Sequence, residues 1–370
     1  MTRGFGIVGT GVIATIHADA IATLPDARLV AVTDVAAGAA AAFAAARGCP
    51  AEPDLGALLA RPDVEVVCVC VPSGLHAVIG VQAANAGKHL VVEKPIDVSL
   101  DAADRLIDAA RKAGVALTVI SQHRFDPGLV ELEHLLDSGA LGRLVLGEAS
   151  TKWYRTQAYY DSAAWRGTYT MDGGSLMNQG VHYVDLLRGC MGPPAEVIAA
   201  CSTQAHQIEV EDTSLAVVRF ASGAVGTILS STAAFPGFPQ RLEITGTAGT
   251  VTVEDGRIVR RTLAADTDPA SGSASGSASV SASASASADA GSSAAAVAAS
   301  ADAGSSAAAV AVDPAALDVA GHAAQLADLL DAVDTGREPA VSGQSGRDAL
   351  EIVLAVYESS RTGRPVNLGR

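Results

Sequence analysis

The chain has 370 residues, 49% of them hydrophobic, and a formal net charge of −15, so it is too long for one ordinary core and too apolar for global disorder. Its acidic balance argues against a polyanionic partner, and neither nucleic acid nor an anionic membrane is expected to bind it. No stretch reads as a signal peptide or a membrane span, and strand character begins already at Phe5, leaving no room for a targeting segment. The five cysteines (Cys49, Cys68, Cys70, Cys190 and Cys201) are odd in number and scattered. They read as small apolar core residues in a reducing compartment, with no disulfide and no metal, and we expect a cytoplasmic protein.

Residues 1–123 alternate strand and helix. Phe5 to Val8 is a short apolar strand, followed by a glycine turn and a helix through Leu24. Ala27–Thr33 reads as a strand and Ala36–Arg47 as an alanine-rich helix ending at Gly48. The Val/Cys run of Val64–Val71 reads as a buried parallel strand bounded by Pro72. A helix over Leu75–Ala86 ends at Gly87, and strand His89–Val92, helix Leu100–Ala113 and strand Val115–Ile120 follow. This grammar predicts a doubly wound parallel sheet, a Rossmann domain.

Residues 124–370 read as α+β with a large, mostly antiparallel open sheet. A helix over Leu129–Asp137 precedes strand-like runs at Arg143–Tyr154, Glu196–Thr203, Thr213–Phe220, Ala224–Ser231 and Arg241–Thr245. Ser222-Gly223 and Asp255-Gly256 have the character of hairpin turns. Residues 265–312 interrupt this domain with Ser/Ala alternation and an eleven-residue repeat at 288–298 and 301–311. Lacking large apolar residues, that insertion is expected to be disordered. Amphipathic helices at His322–Val333 and Ala349–Ser360 return to the core.

Gly9-Thr10-Gly11-Val12-Ile13-Ala14 fits G-x-G-x-x-A between a strand and a helix. The first glycine permits a tight turn, the second lets backbone approach a pyrophosphate, and Ala14 permits close helix packing. Asp34 closes the next strand, where its carboxylate suits the ribose hydroxyls of NAD and repels the 2′-phosphate of NADP. Val35-Ala36-Ala37 brings no Arg or Lys to reverse that choice. Pro72 and His76 follow the third strand at the carboxyl edge where ligands bind; for His76 taken alone a plain helix-start role is the stronger reading.

Glu93-Lys94-Pro95 ends strand His89–Val92, beside this cofactor site. Of the 25 basic residues only Lys88, Lys94, Lys112 and Lys152 are lysines, so a lysine here is a selective choice. An ammonium can lose its proton near another positive charge and a guanidinium effectively cannot, which suits Lys94 to proton transfer. Further on, Gly173-Gly174-Ser175 leads into a segment in which, if helical, Asn178 and His182 stand at i and i+4 with Asp185 one turn on. That stripe is either the wall of a pocket or a solvated face.

Together these residues resemble the Gfo/Idh/MocA oxidoreductases, the family of glucose–fructose oxidoreductase and inositol dehydrogenase. The resemblance rests on the G-x-G-x-x-A start, Val71-Pro72 with His76, Glu93-Lys94-Pro95, Arg124-Phe125-Asp126-Pro127, the glycine-rich segment with Asn178 and His182, and the tail Gly363-Arg364-Pro365-Val366-Asn367-Leu368. It implies a cofactor site built from Gly9, Thr10, Gly11, Val12, Ile13, Asp34, Pro72, His76, Glu93 and Lys94, with Lys94 and His182 carrying proton chemistry. The family often has an acidic residue four before the histidine, where this chain has Asn178, able to hold a hydroxyl but not to act as a base. The glycine run is also shortened, to Asp172-Gly173-Gly174-Ser175. Trp165-Arg166-Gly167-Thr168 followed by Asn178-Gln179-Gly180 resembles the branch that contains sugar-nucleotide 3-dehydrogenases.

The expected activity is hydride transfer between a secondary hydroxyl of a sugar, cyclitol or sugar nucleotide and NAD, in a homodimer or homotetramer assembled through the outer face of the large sheet. Arg124, Tyr154, Trp165 and Arg166 are candidate substrate-wall residues, with Trp165 in the core and Arg166 in a surface ion pair as their competing readings. Two other functions stay open at this level. One is an NAD-binding sensor without turnover, and the other is NAD-dependent glycoside cleavage.

Overall fold

The computed structural model describes residues 2–267 and 319–368, so the predicted disordered insertion lies almost wholly outside the described residues. The first sheet contains β1 (Arg3–Val8), β2 (Ala27–Thr33), β3 (Val66–Val69), β4 (His89–Val92) and β5 (Leu117–Val119), all parallel, in the order β2-β1-β3-β4-β5. A single parallel bridge between Val32 and Ala51 extends it past β2. Counting that bridge as the third strand position gives the 3-2-1-4-5-6 order of a dinucleotide-binding sheet. Helices α1 (Val12–Thr23), α2 (Ala37–Arg47), α3 (Leu55–Ala60), α4 (His76–Asn85) and α5 (Leu100–Ala113) connect the strands. Gly48 and Gly114 end α2 and α5 in the left-handed conformation that glycine adopts without penalty.

Beyond β5 come α6 (Pro127–Asp137), β6 (Leu144–Lys152), α7 (Gln157–Asp161), a π turn over Ser175–Gly180 and α8 (Val181–Met191). Strands β7 (Pro194–Ser202), β8 (Thr213–Phe220), β9 (Val225–Ser231), β10 (Arg241–Gly246), β11 (Gly249–Glu254) and β12 (Arg257–Leu263) follow, with the short α9 (Ala264–Thr267) after them. The described chain resumes with α10 (Val319–Thr335), α11 (Gly343–Thr362) and β13 (Val366–Asn367). The second sheet is eight-stranded, β12-β11-β10-β6-β9-β8-β7-β13, and antiparallel except where β6 runs parallel to β9. Both sheets therefore have the predicted character.

Alternation places the sheet against its helices. Along β8, Ser214, Ala216, Val218 and Phe220 are buried while Leu215, Val217 and Arg219 face outward. The inner face packs on α8 and α11 through Val184, Leu187, Val353 and Val356. Each such fully buried side chain contributes about 1.5–3 kcal/mol.

Two features escape a reading of periodicity. The β11–β12 hairpin forms around Asp255 and Gly256, both at positive φ, as the turn type requires, but the Arg-rich β12 lacks an apolar alternation to mark it. Helix α10 packs on α1, and its Leu326, Leu329 and Leu330 share a core with Phe5, Ile7 and Val91 of the first sheet. Thus a segment far along the chain closes one face of the first sheet. Among the described residues all five cysteines are free, and no helix is long and apolar enough to cross a membrane.

Candidate active site

The chain leaves β1 for β2 in one direction and reaches β3 in the other, so a crevice opens between the carboxyl ends of β1 and β3. Gly9 lines it with φ +88°, and a Cβ there would come within 2.5 Å of the Cys70 carbonyl oxygen. Around Gly11 nothing would meet a Cβ within 4 Å, so this side of the turn is open. Gly11 starts α1 without a side-chain cap, and with Ala14 N donating to Gly11 O it is the Val12 and Ile13 N–H groups that are left for an anion. Asp34 is fixed by donors from Thr10 N at 2.7 Å, Thr10 Oγ1 at 2.9 Å and Ala36 N at 2.8 Å. Partial burial pushes its carboxyl up, but these three donors prevail and hold it below the usual range. An open glycine turn, an uncapped helix start and a fixed carboxylate fit the pyrophosphate and ribose of a dinucleotide.

His76 lies elsewhere than on the open crevice. Its Nδ1 is 2.7 Å from Pro95 O and its Nε2 is 2.9 Å from Val71 O, so the ring is wedged between the loop after β3 and the loop after β4, its single N–H in the neutral form donating to one of the two carbonyls. Pro72 opens the short 3₁₀ turn Ser73–Leu75. Gly74 in that turn rests on the second domain, where a Cβ would sit 2.0 Å from Thr170 O.

Glu93 turns inward. Its Oε1 meets His17 Nε2 at 2.8 Å and His322 Nε2 at 3.9 Å, beneath α1 and α10, and its Oε2 accepts from Lys94 N at 3.2 Å. Burial pushes this carboxyl upward, yet the His17 hydrogen bond and the neighbouring positive charges hold it down at about 2. Lys94 extends the other way, across to the second domain. Its Nζ donates to Asn178 O at 2.6 Å and lies 3.4 Å from Asn178 Oδ1. Burial pushes the ammonium below the ordinary lysine range, Arg155 and Arg166 add to that, and Glu93 and Asp172 oppose it.

The segment carrying Asn178 departs from a plain α-helix. Ser175–Gly180 forms a π turn, so Asn178 and His182 are not joined by one continuous α ladder. Two glycines make its entry possible: at Gly173, with φ +76°, a Cβ would meet Met177 at 2.4 Å, and at Gly174 one would meet Glu211 Oε2 at 1.8 Å. His182 is buried, its Nδ1 has no hydrogen-bond partner among the described residues, and its ring stacks edge-on against His123 at 5.2 Å. Burial, then Lys94 and His123, push its pKa far down, so the imidazole is neutral. Asp185 turns from this pair to accept from Ser121 Oγ at 2.5 Å and from Arg124 Nε at 2.6 Å and Nη2. Arg124 therefore lies in a bidentate ion pair inside the second domain.

Across from Lys94 stands a group of aromatic and basic side chains. Arg166 lies 4.4 Å from the ring centroids of both Tyr159 and Trp165 and donates from Nη1 to the Tyr159 hydroxyl at 2.8 Å. Arg155 lies 4.9 Å from the same Tyr159 ring. Tyr154 bridges to Ala233 on the segment after β9 and stacks edge-on with Phe235 there at 5.2 Å. Arg155, Tyr159, Asp172 and Gln179 belong to this cluster of side chains, and motif reading assigns none of them a role. The basic and aromatic residues of Trp153-Tyr154-Arg155 and Tyr159-Tyr160 are the signal for Arg155 and Tyr159, and no such pattern marks Asp172 or Gln179.

A glycine-turn dinucleotide crevice facing a lysine, a neutral histidine and a basic–aromatic wall defines an NAD(P)-dependent oxidoreductase. Residues 3–121 match the oxidoreductase family with the NAD-binding Rossmann fold, and residues 129–252 match the GFO/IDH/MocA C-terminal domain. The inositol 2-dehydrogenase of Rhizobium meliloti is 30% identical over 71% of this chain and 79% of its own. The myo-inositol 2-dehydrogenase of Thermotoga maritima is 27% identical over 98% of both chains. Among solved structures, the WlbA dehydrogenase of Bordetella pertussis, in complex with NADH and UDP-GlcNAcA, superposes with a TM-score of 0.83 at 30% identity, covering 100% of this chain and 98% of that one. The chain belongs to the Gfo/Idh/MocA family of oxidoreductases.

Proposed function

We propose that this protein is an NAD-preferring dehydrogenase that reversibly oxidises a secondary hydroxyl of an acidic sugar or sugar nucleotide. The observation that carries the acidic substrate is the pair Arg155 and Arg166, both packed on Tyr159 and both near enough to depress the Lys94 pKa. Two guanidiniums facing one reactive amine suit a carboxylate or diphosphate beside the reacting hydroxyl. The similarity to a dehydrogenase solved with UDP-GlcNAcA supports the same class.

Within this reading Lys94 takes the hydroxyl proton, being held in place by Asn178 and lowered in pKa by burial and the two arginines. Neutral His182 holds the hydroxyl or its neighbour, and Trp165 offers the apolar face of the ring a surface. The nicotinamide, when bound, supplies the hydride acceptor. Asp34 favours NAD because its ionised carboxylate repels a 2′-phosphate.

We also propose that a second copy of the chain covers the outer face of the large sheet. Ile198, Leu215, Val217, Val225 and Leu146 stand 43–50% exposed there, and Ile198 pairs with Val217 and Val225 with Leu146 across neighbouring strands. A contiguous apolar face of that kind is characteristic of interfaces.

The test is absorbance at 340 nm with NAD⁺ or NADP⁺ against UDP-sugar uronates, free uronates, neutral hexoses and inositols. Turnover concentrated on the acidic members supports the reading, and Arg166→Ala should then raise KM for them more than for neutral members. Turnover of inositols alone would move the substrate class to cyclitols. Cofactor binding without turnover of any panel member would favour a sensor.

A further inference from the structure

The family's carboxylate at position 178 is an amide in this chain, yet a buried carboxylate stands directly behind it. Asp172, 1% exposed, accepts from Gly167 N on Oδ2 at 2.8 Å and from Asn178 Nδ2 on Oδ1. We propose that Asp172 is the positioning residue for Lys94, fixing the Asn178 amide so that its carbonyl faces the ammonium and supplying from behind it the negative charge that position 178 lacks. The inference rests on the proposed role of Lys94 in proton transfer.

The orientation follows from donor and acceptor inventory. An ionised carboxylate only accepts, so the side of Asn178 that meets Asp172 must be its NH₂ group. Flipping the amide would set oxygen against oxygen in a buried site. Oδ1 is thereby directed to Lys94 Nζ, at 3.4 Å, alongside the Asn178 backbone carbonyl at 2.6 Å. Two acceptors from one residue hold the amine and leave its remaining position for a substrate hydroxyl.

Asp172 itself is kept from moving. Its N–H and that of Gly173 both donate to Thr168 O, at 3.2 Å and 2.9 Å, closing the loop around the side chain. The charged and titratable groups around Lys94 divide in sign: Glu93 and Asp172 favour the ammonium, while Arg155 and Arg166 disfavour it. Glu93 faces the His17 and His322 side. Asp172 is the carboxylate on the substrate-domain side; burial raises its pKa, and the hydrogen bonds from Gly167 N and Asn178, then Arg166 and Lys94, limit that rise.

The experiment compares wild type with D172N, N178D and the exchanged pair D172N/N178D, using two readouts. The first is turnover against pH on the substrate that the wild type accepts. The second is the pH midpoint for acylation of Lys94 by acetic anhydride, followed by mass spectrometry, which needs no turnover. D172N loses the charge and frees the amide, so turnover should fall about tenfold to a hundredfold, as for a misplaced reacting group, and the Lys94 midpoint should fall. In the exchanged pair the amide and carboxylate swap roles, the hydrogen bond is restored, and turnover should recover to within about tenfold of wild type with the midpoint at or above its original value. N178D alone sets two carboxylates together and should remain poor.

A D172N variant with unchanged turnover and an unchanged midpoint overturns the inference, as does an exchanged pair no better than D172N. Should D172N not fold, the exchanged pair decides alone: recovered turnover and midpoint support the inference, and a folded but impaired protein overturns it. A merely structural role moves the melting temperature and not the Lys94 midpoint. If the wild type turns over no substrate, the functional reading has failed, and the acylation midpoints still decide this one.

Discussion

Lys94 Nζ and the backbone carbonyl of Asn178 are 2.6 Å apart, and this bond joins the end of β4 in the first domain to the π turn packed on the second sheet. The amine is thus placed by both domains at once. It is half-buried, next to a crevice shaped for a dinucleotide, with its pKa lowered by burial and by two arginines. A proton-transfer group needs a lowered pKa as well as position, and the position of Lys94 and the direction of its shift are both those the proposed role requires.

Replacing Lys94 by Ala should reduce kcat by about two to four orders of magnitude, the span for a positioned acid or base. Lys94→Arg should be nearly as damaging, since a guanidinium keeps the charge and cannot release the proton. Measured kcat for the two variants checks this. An active arginine variant would show that charge alone is needed.

Asp34 should decide the choice of cofactor. Its oxygens are fixed by Thr10 and Ala36, so the negative charge cannot swing away from an incoming 2′-phosphate. Asp34→Ser should lower the ratio of kcat/KM with NAD to that with NADP by about tenfold or more, which corresponds to ~1.4 kcal/mol. The ratio is read from initial rates with each cofactor at one saturating substrate concentration. An unaltered ratio would place the discrimination elsewhere in the crevice.

Much of this architecture is legible in the sequence. Strand–helix alternation, the glycine turn and Asp34 specify the first domain because each is a local requirement: a period, a φ angle, a charge at a strand end. Lys94 was legible for the same reason, as a residue type that its neighbours make unusual. What escaped is non-local. Asp172 acquires its meaning from Asn178, and Arg155 from Tyr159, through loops whose course no periodicity encodes. Arg124 reads in the sequence as a candidate substrate-wall residue, and its ion pair with Asp185 comes from packing α8 beside the turn after β5. The insertion at 265–312 lies beyond what the structure describes, apart from its first three residues.

The outer sheet face yields a prediction about assembly. Leu215 and Val217 point outward on β8, 50% and 48% exposed, Leu215 between Ala200 and Leu229 and Val217 between Ile198 and Thr227 on the neighbouring strands. If a second copy covers them, L215D/V217D should convert the oligomer to a monomer without unfolding it, because neither side chain is in the core. Light scattering after size exclusion reads the mass directly. A wild-type protein that is already monomeric at micromolar concentration removes the proposed interface.

Glu211 should make stability depend on pH in an unusual direction. Its carboxylate lies beneath the glycine-rich turn, accepting from Leu176 N at 2.7 Å, while its backbone carbonyl accepts from Ser175 N at 3.0 Å. Burial raises its pKa to about 7, against the opposing effects of Leu176 N and Tyr357. In the unfolded chain the same group titrates near the ordinary value of about 4.3. Between these two values the folded protein holds a proton that the unfolded chain has released, so rising pH favours unfolding. The stabilisation is complete below about pH 4.3, declines as pH rises, and is gone above about pH 7; its full size is roughly 4 kcal/mol. E211Q keeps a neutral side chain at every pH and should show a flatter profile over that window, gaining on the wild type towards pH 8. Melting temperatures of both proteins between pH 5 and 8 decide the matter: parallel curves would mean that Glu211 is ionised throughout, and converging curves at low pH would mean that the turn before Asn178 rests on a protonated acid.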